Sequence, residues 1–395
     1  MATKLVAVLL PLLCFDGVLS AVAFNSVPTN INSDFYNDFR QLLKLSASLH
    51  SKVRPIFITL LKNYIVDSQQ PAPSSSAELT PQEVENWPEI DLNLGQVSGV
   101  SVNIHQQPVI FHRADRVWDA STFDYNNNYK HRKLGPISSH TVLTLDPQTG
   151  RILKEWGKNL FYMPHGLTID RHNNMWITDV ARHQAFKFRA DMNEPELIFG
   201  ENFEPGDDND HLCKPTSVAV ASTGEIFIAD GYCNSRILKF TALGHHMRTI
   251  PSGNECLSLS VPHHTALIES LDRICVADRE NKRVVCPSAE LRDNKRSSTQ
   301  PLTIQTPDMG RVFGIAAVGE IIYAVNGPSF TFDMQLPVQG FIISAENETV
   351  IGDWGPFEKF QNPHAIAACP NTSSLYIVEI GPNKVWKFKL VHGKQ

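Results

Sequence analysis

Apolar and polar residues alternate in short runs along most of the chain beyond residue 87. The run at residues 164–170 is followed by a polar turn and by further runs at residues 175–179 and 184–188. Alternating runs of this length, separated by Gly, Asn and Asp, are typical of β-strands that are buried on one face. The pattern predicts an all-β domain.

The strand pattern itself repeats. Units begin near residues 97, 164, 215, 262, 312 and 363, and the last five starts are separated by 51, 47, 50 and 51 residues. A period of about 40–50 residues with about four strands in each unit is typical of a β-propeller. An assortment of unrelated β-meanders is the alternative. The sequence thus predicts that residues 87–395 form one six-bladed β-propeller.

The first 86 residues show a different pattern. Residues 1–23 combine a basic start, an apolar run and Ala21-Val22-Ala23, as in a cleaved secretory signal peptide, and the run is too short to span a bilayer comfortably. Residues 24–86 are predicted to be a short helical extension, centred on residues 33–66, followed by a Pro/Ser-rich linker. We expect a secreted monomer without a transmembrane segment.

The composition agrees with a folded, secreted protein. Of the 395 residues, 42% are hydrophobic and 19% are charged, and the net charge of −6 argues against nucleic acid as a partner. Six cysteines remain after the signal peptide, an even number that suggests disulfides in an oxidising compartment. Asn347 and Asn371 lie in Asn-X-Thr/Ser sequences, which predict glycosylation where the loops are exposed.

Three units open with the dipeptide Pro-His, at His165, His263 and His364. The gaps of 98 and 101 residues each equal two units, so the histidines fall on units two, four and six. Alternate blades of a six-membered ring are about 120° apart, and the first strand of each blade lines the channel. Three neutral histidines with an open fourth position are typical of catalytic zinc. A polar plug of the channel is the alternative.

Three further residues are predicted at the same end of the channel, because the second strand of each unit returns to the level of the histidine. They are Arg113, Tyr232 and Arg279, which follow the histidine position of units one, three and four by 15 or 16 residues. Simple packing of Tyr232, and pairing of the arginines with Asp115 and Asp278, are the alternatives.

Two pairs of cysteines lie close to these residues in the predicted ring: Cys213 with Cys233, and Cys275 with Cys286. A bond within each pair would staple the loop that carries Tyr232 and the turn that carries Arg279. Cys256 and Cys369 are left either to pair or to stay free.

Several motifs carry a family resemblance: Gln96-Val97-Ser98-Gly99-Val100, Val109-Ile110-Phe111-His112-Arg113, Gly157-Lys158-Asn159-Leu160-Phe161-Tyr162, Asp230-Gly231-Tyr232-Cys233 and Val276-Ala277-Asp278-Arg279. Through them the chain resembles peptidyl-α-hydroxyglycine α-amidating lyase over residues 87–390. The resemblance implies a six-bladed propeller of NHL type. It also implies cleavage of peptidyl-α-hydroxyglycine to peptide amide and glyoxylate, the second step of peptide amidation.

The resemblance also implies roles for single residues. Zinc would be held by His165, His263 and His364, with Tyr232 as general base. Arg113 and Arg279 would surround the substrate, and the disulfides would be Cys213–Cys233 and Cys275–Cys286. The implied location is the secretory pathway, in granules or outside the cell, with a separate monooxygenase supplying the substrate.

The chain departs from the family around the third histidine. The family's Met-Pro-His-Asp is here Asn362-Pro363-His364-Ala365. Asn362 stands where the family has a methionine near the substrate. Ala365 replaces an aspartate that binds calcium beside backbone oxygens matching Val100 and Leu167, and this leaves calcium binding open.

These departures support a second hypothesis, a secreted, catalytically impaired propeller that binds peptides or proteins. A calcium-dependent hydrolase of the lactonase kind is a third hypothesis, but it requires acidic and Asn ligands in the channel, where this chain has histidines. An RNA-binding NHL module is disfavoured by the signal peptide and the acidic charge.

Overall fold

The computed structural model describes residues 79–252, 257–291, 300–331 and 334–392. This part of the chain forms six four-stranded antiparallel sheets and one two-stranded hairpin. The first strand of each sheet contacts the first strands of the two neighbouring sheets, in a closed ring. The predicted six-bladed β-propeller is therefore confirmed.

The strands of the first three blades follow one another in chain order, with the first strand innermost. They are β2 (Val97–Val102), β3 (Pro108–His112), β4 (Val142–Leu145), β5 (Ile152–Trp156), β6 (Pro164–Ile169), β7 (Met175–Asp179), β8 (Gln184–Phe188), β9 (Pro195–Phe199), β10 (Ser217–Val220), β11 (Ile226–Asp230), β12 (Arg236–Phe240) and β13 (His246–Ile250).

Blades four to six follow the same plan, and the hairpin of β20 and β21 is inserted in blade five. Their strands are β14 (Pro262–Ile268), β15 (Arg273–Asp278), β16 (Arg283–Cys286), β17 (Leu302–Ile304), β18 (Arg311–Val318), β19 (Ile321–Gly327), β20 (Phe330–Thr331), β21 (Met334–Gln335), β22 (Gly340–Ser344), β23 (Thr349–Trp354), β24 (Pro363–Cys369), β25 (Ser374–Glu379) and β26 (Val385–His392). Short 3₁₀ helices span Arg132–Leu134, Glu269–Leu271 and Pro370–Thr372.

The outermost strand of blade six corrects the predicted start of the propeller. Residues up to 86 were expected to be an extension and linker, but β1 (Leu79–Glu83) pairs antiparallel with β26, with Leu79 opposite His392. The ring is thus closed by hydrogen bonds between the two ends of the propeller sequence. Pro81 and the lack of alternation gave this segment the pattern of a linker, although an edge strand tolerates proline. The predicted helical extension and signal peptide lie outside the described residues.

The core lies in layers between adjacent blades. One layer, for example, combines Ala277 and Val284 of blade four with Ile315 and Ile322 of blade five, all of which are buried. A blade with alternating strands has two apolar faces and can bury them only against its neighbours. This packing fixes the first strands rigidly around the channel. None of the helices in the described part of the chain is long and apolar enough to cross a membrane.

Candidate metal and substrate site

The three Pro-His histidines meet at one end of the channel. His165, His263 and His364 are each at most 2% exposed, and their candidate ligand nitrogens all lie within 4.8 Å of one another. Each is the second residue of the first strand in its blade. The predicted convergence from alternate blades is confirmed.

A local irregularity accompanies each of these histidines. The pairing of the first and second strands shifts register between Pro164 and Leu167, and equivalent shifts occur at the two other histidines. A β-bulge redirects side chains relative to a regular strand. All three histidines therefore sit at a bulge, the feature that can aim an imidazole out of the sheet and into the channel.

Hydrogen bonds fix the tautomer of each imidazole. Nδ1 of each lies 2.7–2.8 Å from a backbone carbonyl oxygen: His165 with Thr216, His263 with Phe313 and His364 with Ser98. A carbonyl only accepts, so each Nδ1 carries the proton and each Nε2 keeps its lone pair for the centre. Each carbonyl belongs to the next blade, at the position equivalent to the histidine.

The electrostatics also keep the imidazoles neutral. Burial, together with charged neighbours, holds the pKa of all three histidines well below its usual range. Three neutral, converging imidazole nitrogens are a donor set for zinc and related transition metals. The three residues therefore fit a metal of this class.

Buried acids hold the segments that precede the histidines. Asp179, Asp278 and Glu379 each end the second strand of a histidine-bearing blade and are 0% exposed. They accept hydrogen bonds from the backbone N–H groups of Tyr162 and Met163, of Ser260, and of Gln361 and Asn362, respectively. This role was not predicted from the sequence, although an acidic residue recurs at the end of these second strands.

Tyr232 lies directly beside the histidines. Its hydroxyl is 3.0 Å from Nε2 of His165 and 3.1 Å from Nε2 of His263. Burial raises the pKa of Tyr232, while the cationic side chains of Arg279 and Arg113 act in the opposite direction. The hydroxyl therefore belongs to the polar centre, and the alternative that Tyr232 is only a packing residue is wrong.

Arg113 is a buried cation with one donor unused. It is 1% exposed, its Nε donates to Pro164 O at 2.9 Å and its Nη1 donates to Gln96 Oε1 at 2.7 Å. Nη2 has no partner in the described structure. Burial lowers the pKa of Arg113 to about 10, so it remains charged at neutral pH. The alternative pairing with Asp115 is wrong, because that carboxylate binds Arg116.

Arg279 lies close to the ring of Tyr232. Its guanidinium carbon lies 5.1 Å from the ring centre of Tyr232 and 5.0 Å from that of Phe313, and its Nε donates to Glu280 at 3.0 Å. The alternative pairing with Asp278 is also wrong, because Asp278 instead binds Arg283. The three residues that the repeat predicted at this end of the channel are therefore brought together.

Two neighbours of Arg113 were not found from the sequence. Gln96 Oε1 also accepts from the backbone N–H of Trp118 at 3.0 Å. The Trp118 ring centre lies 4.7 Å from that of Tyr232 and 5.3 Å from the Arg113 guanidinium carbon. Trp118 belongs to the long connection between β3 and β4. In the sequence, only the larger spacing between the first two units indicated that this connection is long.

The residues of the family's calcium site do not form a matching donor set here. Ala365 is buried in an apolar cluster with Val100, whereas Leu167 packs in a different cluster. The adjoining channel cavity, of about 270 Å³, is lined by Val100, Leu167 and other residues, none of them a carboxylate. The described side chains around Val100 and Leu167 therefore include no carboxylate for calcium. Asn362, the other departure, is partly buried two residues before His364.

Both predicted disulfides are confirmed. Cys213 bonds to Cys233, and Cys275 bonds to Cys286 on the neighbouring strand. Cys369 is buried and free within the described residues, and Cys256 lies outside them.

Fold and site together define a six-bladed propeller with a buried three-histidine centre at one end of its channel. An NHL-repeat profile matches residues 212–240. The chain is 49% identical to peptidyl-alpha-hydroxyglycine alpha-amidating lyase 2 of Drosophila melanogaster over 376 residues, which cover 91% of each chain. The chain therefore belongs to the peptidyl-α-hydroxyglycine α-amidating lyase family.

Other relatives differ in length or only share the fold. Peptidyl-glycine alpha-amidating monooxygenase B of Xenopus laevis is 42% identical over 318 residues, which are 78% of this chain but 35% of the frog protein. A gluconolactonase structure from Xanthomonas campestris aligns with a TM-score of 0.51, covering 81% of this chain and 97% of that one at 12% identity. The second likeness shows the propeller fold alone.

Proposed function

We propose that this chain is a zinc-dependent lyase that cleaves the N–Cα bond of a C-terminal peptidyl-α-hydroxyglycine, giving a peptide amide and glyoxylate. The observation that supports this most is the meeting of three neutral imidazoles and the Tyr232 hydroxyl in one buried centre. The activity named for the fly relative supports the substrate class.

The substrate's carboxylate matches the unused donor of Arg113. A buried charged group with an unpaired N–H is costly, and a carboxylate would complete it with a charge-assisted hydrogen bond. Because Pro164 and Gln96 already hold Nε and Nη1, this arginine loses little freedom when it binds. Arg279 adds positive charge close to the ring of Tyr232.

The substrate's hydroxyl matches the centre itself. When bound by His165, His263 and His364, zinc supplies a Lewis acid that lowers the pKa of the hydroxyl. Tyr232 would take the hydroxyl proton; burial raises its pKa, and the positive charges of Arg279 and Arg113 act in the opposite direction, toward the ionised form. The released electron pair forms the aldehyde C=O of glyoxylate as the Cα–N bond breaks. The departing nitrogen takes the proton from Tyr232 and becomes the primary amide.

The proposed function also includes the source of the substrate and the cellular location of the protein. The frog relative is named a monooxygenase, and this supports the proposal that a separate monooxygenase supplies the hydroxyglycine. The proposal also includes cleavage of residues 1–23, secretion through granules or directly out of the cell, and a monomeric state. The two disulfides suit the oxidising secretory pathway.

The glycosylation sequences are compatible with this location. Asn347 and Asn371 are exposed, on turns that join the third to the fourth strand of blade five and the first to the second strand of blade six. In the strand order of the blades, both turns lie at the end opposite to the histidines. Glycans on both would leave the histidine end of the channel open.

Incubation of the purified chain with a synthetic peptidyl-α-hydroxyglycine tests the proposal. We expect equal amounts of glyoxylate and peptide amide, loss of both after treatment with a transition-metal chelator, and recovery on addition of zinc. Binding of the peptide without release of glyoxylate would support the binding-protein hypothesis instead.

A further inference from the structure

We infer that this chain binds no calcium in its channel and that the layer below the histidines is completed by protein side chains alone. The inference rests on the donor atoms of that layer and does not depend on the proposed reaction. It marks a difference from what the family resemblance implies.

The layer in question follows the histidine level by one residue in each blade. Its members are Gly99, Gly166, Ser217, His264, Gly314 and Ala365. Four of the six are glycine or alanine. A Cβ on Gly166 would lie 2.4 Å from Thr216 O, so the neighbouring backbones leave no space there for a larger side chain. A carboxylate is absent from all six positions.

The channel beyond this layer likewise offers no carboxylate that could bind calcium. The hydroxyls in and next to it are engaged within the protein: Thr168 donates to Val218 O at 2.7 Å, Ser101 accepts from the backbone N–H of Ile169 at 2.9 Å, and Ser217 and Thr265 bond to each other at 3.0 Å. Among the described residues, His264 is the one ionisable side chain that lines this cavity. Imidazole nitrogen is a poor ligand for calcium, which takes six to eight oxygens.

The distribution of charged side chains also argues against calcium in the channel. The buried acids Asp179, Asp278 and Glu379 end the strands at the histidine end and are held there by backbone N–H groups. Two cations lie beside the histidine centre: Arg113, whose Nε donates to the carbonyl oxygen of Pro164, and Arg279, whose guanidinium carbon is 5.1 Å from the ring centre of Tyr232. A calcium dication in the channel would lack a compensating carboxylate, and burial of such a charge is strongly unfavourable.

Calorimetric titration of the whole secreted chain, zinc-loaded and freed of calcium, tests the inference. We expect no saturable heat with calcium up to about 2 mM, the range of extracellular calcium sites, and an unchanged melting temperature. Ala365→Asp is expected to gain one site and a calcium-dependent rise of about 3 °C or more. Ala365→Asn, which has the same size without the charge, is expected to gain much less.

Stoichiometric calcium binding by the unaltered chain would overturn the inference, whatever the variants do. His264→Asp places a carboxylate in the same layer on blade four, and it is the replacement test if Ala365→Asp does not fold. If either variant folds and neither binds calcium, the missing carboxylate is overturned as the reason why the unaltered chain binds none. Glyoxylate release is measured in parallel with and without calcium, so that failure of the proposed reaction is recognised separately.

Discussion

The hydroxyl of Tyr232 lies 3.0 Å from Nε2 of His165. The hydroxyl carries one proton and has a second imidazole nitrogen, that of His263, at 3.1 Å. Both Nδ1 atoms are already committed to carbonyl groups, so both Nε2 atoms are acceptors. The tyrosine oxygen therefore lies beside the lone pairs that would hold a metal, where the proposed reaction requires an acceptor for the proton of the substrate hydroxyl.

Replacement of Tyr232 by phenylalanine keeps the ring but removes this oxygen. We expect kcat to fall by about 10²–10⁴-fold, the usual contribution of a general base, while zinc remains bound at one equivalent. Tyr125, which is 93% exposed, provides the matched Tyr→Phe control. Turnover at the level of the unaltered chain would show that another group takes the proton.

Removal of one imidazole tests the metal centre. His263→Ala leaves two nitrogens, and two ligands hold zinc much more weakly than three. We expect less than stoichiometric zinc by elemental analysis after dialysis, together with loss of glyoxylate release. The exposed His245 is the control, and His245→Ala should keep its zinc. Full zinc content in His263→Ala would contradict the three-histidine assignment.

Gln96 is expected to act on the reaction through Arg113. Gln96→Leu removes the acceptor that holds Nη1 at 2.7 Å, and hydrogen bonds to charged groups contribute about 1.5–3 kcal/mol. We expect KM to rise about tenfold or more with a smaller change in kcat, because the carboxylate contact is made in the ground state. Gln96→Glu should restore the position of Arg113 but neutralise its charge, and so also raise KM. Equal falls in kcat and kcat/KM, with KM unchanged, would assign Gln96 a different role.

Much of this architecture was predictable because it depends on period. The 47- to 51-residue repeat set the number of blades, and the two-unit spacing of His165, His263 and His364 set their convergence. Closure by β1 was not predictable in the same way, since its partner β26 lies about three hundred residues away in sequence and an edge strand needs no alternation. Nor was the link between Gln96 and Trp118, because it joins an irregular loop to a segment between blades.

The closing strand gives a prediction about stability. A chain that begins at residue 77 keeps β1, whereas a chain that begins at residue 84 loses all five pairs between Leu79–Glu83 and β26. We expect the shorter chain to melt at least about 5 °C lower, since it exposes the edge of blade six and opens the ring. Thermal unfolding of the two truncated chains, compared with each other, isolates β1. Equal melting temperatures would mean that the ring is held by blade packing alone.

His183 gives a prediction about pH. It is 0% exposed, and its Nδ1 accepts a hydrogen bond from the backbone N–H of Lys214 at 3.0 Å. Burial, with a smaller effect of the Lys214 charge, lowers the pKa of His183 to about 4. The unfolded chain therefore binds more protons than the folded chain between pH 4 and 6.5. Stability should fall as the pH decreases through this window, by at most about 3 kcal/mol from this residue.

Urea unfolding at pH 7.5 and pH 5, in buffers of equal zinc content, measures this effect. His183→Asn keeps an acceptor for the Lys214 N–H, cannot titrate, and suits the positive φ of 56° at this position. We expect the difference in unfolding free energy between the two pH values to become smaller in this variant. His245→Asn, at an exposed position, should leave the difference unchanged. If His183→Asn shows the same pH dependence as the unaltered chain, then the acid sensitivity arises elsewhere, and the histidines of the metal centre become the next residues to test.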